Sequence, residues 1–256
     1  MHYQMWIWSK FENVIAHFLI AMMEELIILY YVLFYMFLLM YYHYNNIISY
    51  KEVAYMGKIK LLHGSDHIIE KPDLLLGKTN NDYGRGFYCT QELSMAMEWA
   101  CKKNSDGFVN KYVLEQDSLN ILNLLDGKYN ILHWMALLLK NRTFRLSNEI
   151  AIDACDYIIE NFSIDLKAYD VIIGYRADDS YFSFAESFVQ NGLPLRSLNE
   201  ALHLGRLGTQ TVLISEKSFR NLTFDGADFA DKTVYYPKFI ARDSNVRETY
   251  RREIRN

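Results

Sequence analysis

Tyr83-Gly84-Arg85-Gly86-Phe87-Tyr88-Cys89-Thr90, followed by the helical pattern of residues 92–103, is the stretch on which the fold turns. A glycine pair invites comparison with a dinucleotide-binding loop. Here, however, a third glycine is missing, and Cys89 and Thr90 continue a strand where that loop would open a helix. The glycines therefore precede an aromatic strand end. The helix comes afterwards, with Leu93, Ala96, Met97 and Ala100 recurring on one face. Dehydrogenase chemistry is disfavoured on this ground.

Upstream, Lys58 to Leu62 reads as a short strand that ends at His63-Gly64-Ser65, where glycine and serine punctuate the run. Downstream, residues 108–114 and 170–175 have strand character, the second through Val171, Ile172 and Ile173. Residues 149–162 place Ile150, Ala154, Tyr157 and Ile158 on one helical face, and His133-Trp134 begins an apolar run that reads as helix packing. Ser197 and Glu200 form a capping box for a helix that Gly205 would close. Thr209 to Ser215 is β-branched and apolar, hence a strand, and a last helix is expected from Ser244 to the end. Without a regular βαβ alternation, the expected class is α+β with a mainly antiparallel split sheet and surrounding helices.

The 256 residues suffice for one sizeable core plus an appendage. Half of them are apolar and only three are proline, so most of the chain should fold. A formal charge of -4 offers no general attraction for phosphate backbones, so nucleic acid is not an expected partner. Cys89, Cys101 and Cys155 are odd in number and show no paired C-x-x-C spacing, which argues against a disulfide framework or a zinc site. A cytoplasmic setting for residues 57–256 fits best, with no metal expected.

Residues 1–55 differ from the rest, being crowded with Met, Tyr, Ile, Leu and Phe. Leu26 to Tyr42 are seventeen consecutive residues without a charge, glycine or proline, close to the roughly 20 of a membrane-spanning helix. Glu24 and Glu25 precede the run and Lys51, Lys58 and Lys60 follow it, an orientation that leaves the C-terminal domain in the cytoplasm. Two alternatives stand beside a membrane anchor: Met56 is the true start, or the segment is a buried amphipathic helix.

Three segments carry the chemistry: Leu62-His63-Gly64-Ser65, Tyr83 to Tyr88, and Thr209-Gln210-Thr211-Val212-Leu213. In this order they resemble the ADP-ribosyltransferase superfamily, in its His-Tyr-Glu branch of poly-ADP-ribose polymerases and diphtheria-type toxins. Within it the chain most resembles an uncharacterised bacterial domain family that carries Gln at the Glu position. The resemblance spans about residues 57 to 240.

The resemblance implies that NAD is bound and consumed as a substrate, with His63, Tyr88 and Gln210 at the catalytic positions. His63 would bond the adenosine ribose, with Gly64 and Ser65 beside it and the Gly64 backbone meeting the nicotinamide carboxamide. Gly84 and Gly86 would belong to the same NAD site, and Tyr88 would stack on the nicotinamide ring with Trp99 on the other side. Taken singly, His63 reads as a capping histidine and each aromatic as core. Aromatic faces hold a flat electron-poor ring by about 0.5–2 kcal/mol each.

Gln210 departs from the better-known enzymes. Their glutamate bonds the nicotinamide ribose and stabilises an oxocarbenium-like transition state, much as carboxylates do for glycosides. An amide hydrogen-bonds but brings no charge, a loss worth roughly 2–4 kcal/mol of transition-state stabilisation. Glu186, Asp178, Asp179 and Glu216 are the carboxylates considered as substitutes.

The expected function is therefore mono-ADP-ribosyl transfer to a protein or other acceptor, in a toxin or effector with a host target or an antitoxin as partner. The alternative is a binding module that keeps the NAD or ADP-ribose pocket without catalysis, and a third is a membrane-tethered interaction protein. The basic C-terminal face of Arg247, Arg251, Arg252 and Arg255 reads as a solvated helix surface or a contact for an anionic partner.

Overall fold

The computed structural model describes residues 34–36, 57–177, 179–202 and 209–253. The chain divides into two units, Met1–Met56 and Gly57–Asn256. Of the first, residues 34–36 are described as helical and exposed; the remainder of the helix expected across 26–42 lies outside the described residues. Among the described residues no helix is long and apolar enough to cross a membrane.

The second unit is α+β. In chain order it runs β1 (Lys58–Ser65), β2 (Phe87–Cys89), α1 (Leu93–Ala100), β3 (Gly107–Glu115), β4 (Ile121–Asn123), α2 (Ile131–Asn141) and α3 (Glu149–Phe162). It continues with β5 (Val171–Tyr175), α4 (Asp179–Val189), α5 (Leu195–Ala201), β6 (Thr209–Leu213), α6 (Glu216–Arg220), β7 (Leu222–Ala230) and α7 (Lys232–Glu253). One sheet has the order β1-β3-β7 and is antiparallel throughout. The other has the order β2-β6-β5-β4, in which only the β4/β5 pair is parallel.

The two sheets meet at one point. Leu62 donates its N–H to the Thr90 carbonyl at 2.8 Å, and Thr90 returns the bond to Leu62 at 2.9 Å. An apolar cluster joins them further in, with Leu61, Tyr112 and Leu114 of the first sheet packed with Phe87, Val171 and Leu213 of the second. A larger cluster sets Trp134, Leu138, Ile158, Tyr181 and Leu198 of the helices against Ile172 and Val212. Removing such area from water is the main stabilising contribution, at about 25 cal/mol per Å².

Local punctuation misleads at three places. Helix α5 starts at Leu195 behind Pro194, so Ser197 lies inside it and the expected capping box is absent. Glu200 instead pairs with Arg196 at 2.9 Å, one turn away, and Gly205 lies outside the described residues. The last helix opens at Lys232 and not at Ser244, because Asp231 caps it by accepting from the Thr233 N–H at 2.7 Å and the chain tolerates Pro237 inside. Strand β7 is not foreseen, since Asp225, Gly226 and Asp228 look like a turn. Gly226 has φ +98°, and the β3/β7 register shifts between Asn110 and Tyr112, the mark of a bulge that glycine accommodates.

Candidate functional site

The sheet junction positions the first two site residues. His63 follows Leu62 directly, so the Leu62–Thr90 bridge sets its ring beside β2, where Nδ1 donates to the Tyr88 carbonyl at 2.7 Å. A carbonyl only accepts, so Nδ1 carries the hydrogen and Nε2 of the neutral ring is an acceptor. The imidazole stacks on Phe87 with ring centroids 4.3 Å apart. Burial pushes the His63 pKa below its ordinary value, against the bond to Tyr88 and together with the charge of His67.

Tyr88 is held at its far end, where its hydroxyl donates to the Gly84 carbonyl at 2.7 Å and accepts from the Tyr83 N–H at 3.0 Å. Burial raises its phenol pKa well above the usual value, so it is a neutral ring at any working pH. Gly84 has φ +77°, which a side chain would strain, and this turn is what brings its carbonyl back to Tyr88.

Gly64 has a packing reason to be small. A Cβ there would lie 2.1 Å from the Ala96 carbonyl oxygen and 2.6 Å from the Ala100 nitrogen, so the glycine lets α1 settle on β1. That close packing in turn carries Trp99, on α1, to the site. The indole face holds the Arg176 guanidinium 4.5 Å from its centroid.

Gln210, 3% exposed, lies opposite Gly174 in the β5/β6 register. Its Nε2 donates to the Tyr175 carbonyl and to Oδ2 of Asp82, both at 3.1 Å. Asp82 is the residue that motif reasoning missed. Its Oδ1 accepts from Arg142 at 2.7 Å, and its Oδ2 also accepts from the Ala177 N–H at 2.9 Å. In sequence Asn81-Asp82 looks like turn punctuation before the glycines, and nothing local marks it.

These residues line one cavity of about 590 Å³: His63, Gly64, Gly86, Tyr88, Trp99 and Gln210, with Phe87, Asp82, Arg142 and Arg176. Lys71 and Lys78, both exposed, stand on the 66–86 connection that forms one wall. Ser65 and Gly84 are not part of the lining. The Ser65 hydroxyl donates to the His67 carbonyl and accepts from Asn110 Nδ2 at 3.0 Å. Asn110, fully buried on β3, also donates to the His67 carbonyl at 3.2 Å and accepts from the Ile69 N–H at 2.7 Å, which pins the start of that wall.

Of the carboxylates considered from sequence, Glu186 and Glu216 are away from the cavity, and the side chain of Asp179 is not among those described. Glu186 accepts from the Arg145 N–H at 3.1 Å and Glu216 pairs with Arg220 at 3.7 Å, neither at the cavity; Asp178 lies outside the described residues. His133 caps α2, with Nδ1 accepting from the Asn130 N–H at 3.2 Å, which agrees with its reading as helix packing.

Fold and site together define an α+β domain with a small-molecule-sized cavity at the junction of two sheets. The chain belongs to the family described as Protein of unknown function (DUF3990), whose model matches residues 59–224 and so takes in every side chain of the cavity named above. No curated protein and no solved structure matches the chain.

Proposed function

We propose that residues 57–256 act as an NAD-dependent mono-ADP-ribosyltransferase, of the His-Tyr-Glu type with Gln210 at the third position. The observation that carries this reading is the convergence of His63, Tyr88, Trp99 and Gln210, from four separate segments, on one cavity. Its volume of about 590 Å³ falls in the range of roughly 300–1,000 Å³ usual for small-molecule sites.

The chemistry available fits a dinucleotide that carries a cationic pyridinium ring. The Tyr88 ring and the Trp99 face not covered by Arg176 offer π surfaces to the pyridinium, and Nε2 of His63 accepts a ribose hydroxyl. Arg176, Lys71 and Lys78 supply positive charge for a pyrophosphate. In the reaction the bond between the ribose C1′ and the nicotinamide nitrogen breaks, and its electron pair leaves with neutral nicotinamide. The acceptor's nucleophile then bonds C1′ and loses its proton to solvent or a base.

The test is an assay with nicotinamide-labelled and adenylate-labelled NAD, beside calorimetric NAD titration. Nicotinamide release together with labelled acceptor is expected; NAD binding without either would reject the transferase. The absence of charge on Gln210 favours one second reading, a binding module that holds NAD or ADP-ribose without turnover. That reading predicts comparable affinity for NAD and ADP-ribose, with intact NAD recovered after prolonged incubation.

A further inference from the structure

We infer that Asp82 is the positioning carboxylate of this site: it locks Gln210 with its carbonyl oxygen as the hydrogen-bonding atom left for the cavity. Only the ligand of that oxygen rests on the function proposed above; the lock itself follows from geometry.

The amide nitrogen of Gln210 has two hydrogens and both are committed, one to Asp82 Oδ2 and one to the Tyr175 carbonyl, each at 3.1 Å. Both partners are acceptors, so the orientation of the amide is dictated by the network: turned over, its oxygen would face two other oxygens. Asp82 cannot swing away. Arg142 holds Oδ1 at 2.7 Å, and the Ala177 N–H holds Oδ2 at 2.9 Å. The Tyr175 carbonyl is equally fixed, because the Tyr83 hydroxyl donates to it at 2.6 Å and the Trp134 indole at 3.2 Å. What remains to Gln210 is Oε1, an acceptor as a carboxylate oxygen would be, made more electron-rich by the anion bonded to its N–H. The negative charge lies one residue behind the atom that meets the ligand.

A direct consequence is that Gln210→Glu does not repair this site. It sets a carboxylate oxygen about 3 Å from Asp82 Oδ2 and from the Tyr175 carbonyl. Two carboxylates this close do not both ionise readily, so Glu at 210 takes up a proton and titrates with a raised pKa. Folding then binds a proton that the unfolded chain releases above the ordinary carboxylate range. The variant is therefore close to the parent in stability at low pH and loses ground as pH rises through that raised value.

The experiment measures melting temperatures of the full chain, Gln210→Glu, Asp82→Asn and the double variant from pH 5 to pH 8, with NAD affinity and nicotinamide release at pH 8. The expected result for Gln210→Glu is a deficit of several degrees that widens from pH 5 to pH 8 and shrinks in the double variant. NAD affinity is expected to fall about tenfold or more in both single variants and to recover in part in the double. A Gln210→Glu protein that melts with the parent at every pH, or that releases nicotinamide faster than the parent at pH 8, overturns the inference. If the widening deficit appears but the parent binds no NAD, the lock stands and the functional proposal falls instead.

Discussion

His63 Nδ1 donates to the Tyr88 carbonyl at 2.7 Å, a bond that joins the ends of two strands from different sheets and fixes the tautomer of the ring. That junction sets His63 and Tyr88 side by side in the cavity lining. The histidine can act as an acceptor through Nε2 only while it is neutral, and burial favours that form.

A pH dependence follows from the lowered pKa. Between the folded value and about 6.5 the unfolded chain binds a proton at His63 that the folded chain does not, so stability falls as pH drops below about 6.5 and is unaffected above it. One such group contributes a slope of at most about 1.4 kcal/mol per pH unit. Urea melts at pH 7.5, 6.5 and 5.5 are expected to show a shallower slope for His63→Asn, whose amide can still donate to Tyr88. Identical slopes would remove His63 as the cause.

Stacking on Tyr88 and Trp99 sets the expected cost of truncation. Tyr88→Ala or Trp99→Ala should each weaken NAD binding by about 1–2 kcal/mol, roughly 5- to 30-fold, as read by calorimetry. Tyr88→Ala should also lower stability, because its hydroxyl ties Gly84 and Tyr83 together. Unaltered affinity in both variants would place the pyridine ring elsewhere.

At Gly64 a methyl group would collide with helix backbone and not with a movable side chain. Gly64→Ala is expected to destabilise the domain by about 1–3 kcal/mol, as overpacking does, in a chemical denaturation curve of unchanged slope. A neutral result would mean that α1 lies further from β1 than described.

Arg142 neutralises Asp82 from within the wall, with the carboxylate 9% and the guanidinium 28% exposed. Arg142→Met leaves the anion buried without its cation, at a cost of about 1.5–3 kcal/mol. Combining Arg142→Met with Asp82→Asn should recover part of that loss. Strict additivity of the two in denaturation would show the pair to be uncoupled.

Periodicity and composition, which act over a few residues, were enough to establish the α+β class, the helix at 149–162 and the strands around His63, Tyr88 and Gln210. They failed where a distant partner overrides local preference. β7 forms across Asp225 and Gly226 because β3 offers it an edge, and α7 runs through Pro237 from a cap at Asp231. The site shows the same division. These cavity-lining side chains fall in short motifs at strand ends, so the resemblance could name His63, Tyr88 and Gln210 from those motifs. Asp82 lies 128 positions from Gln210 and has no motif around it. Only folding brings that charge to the amide, because a hydrogen bond depends on distance in space and is indifferent to distance along the backbone.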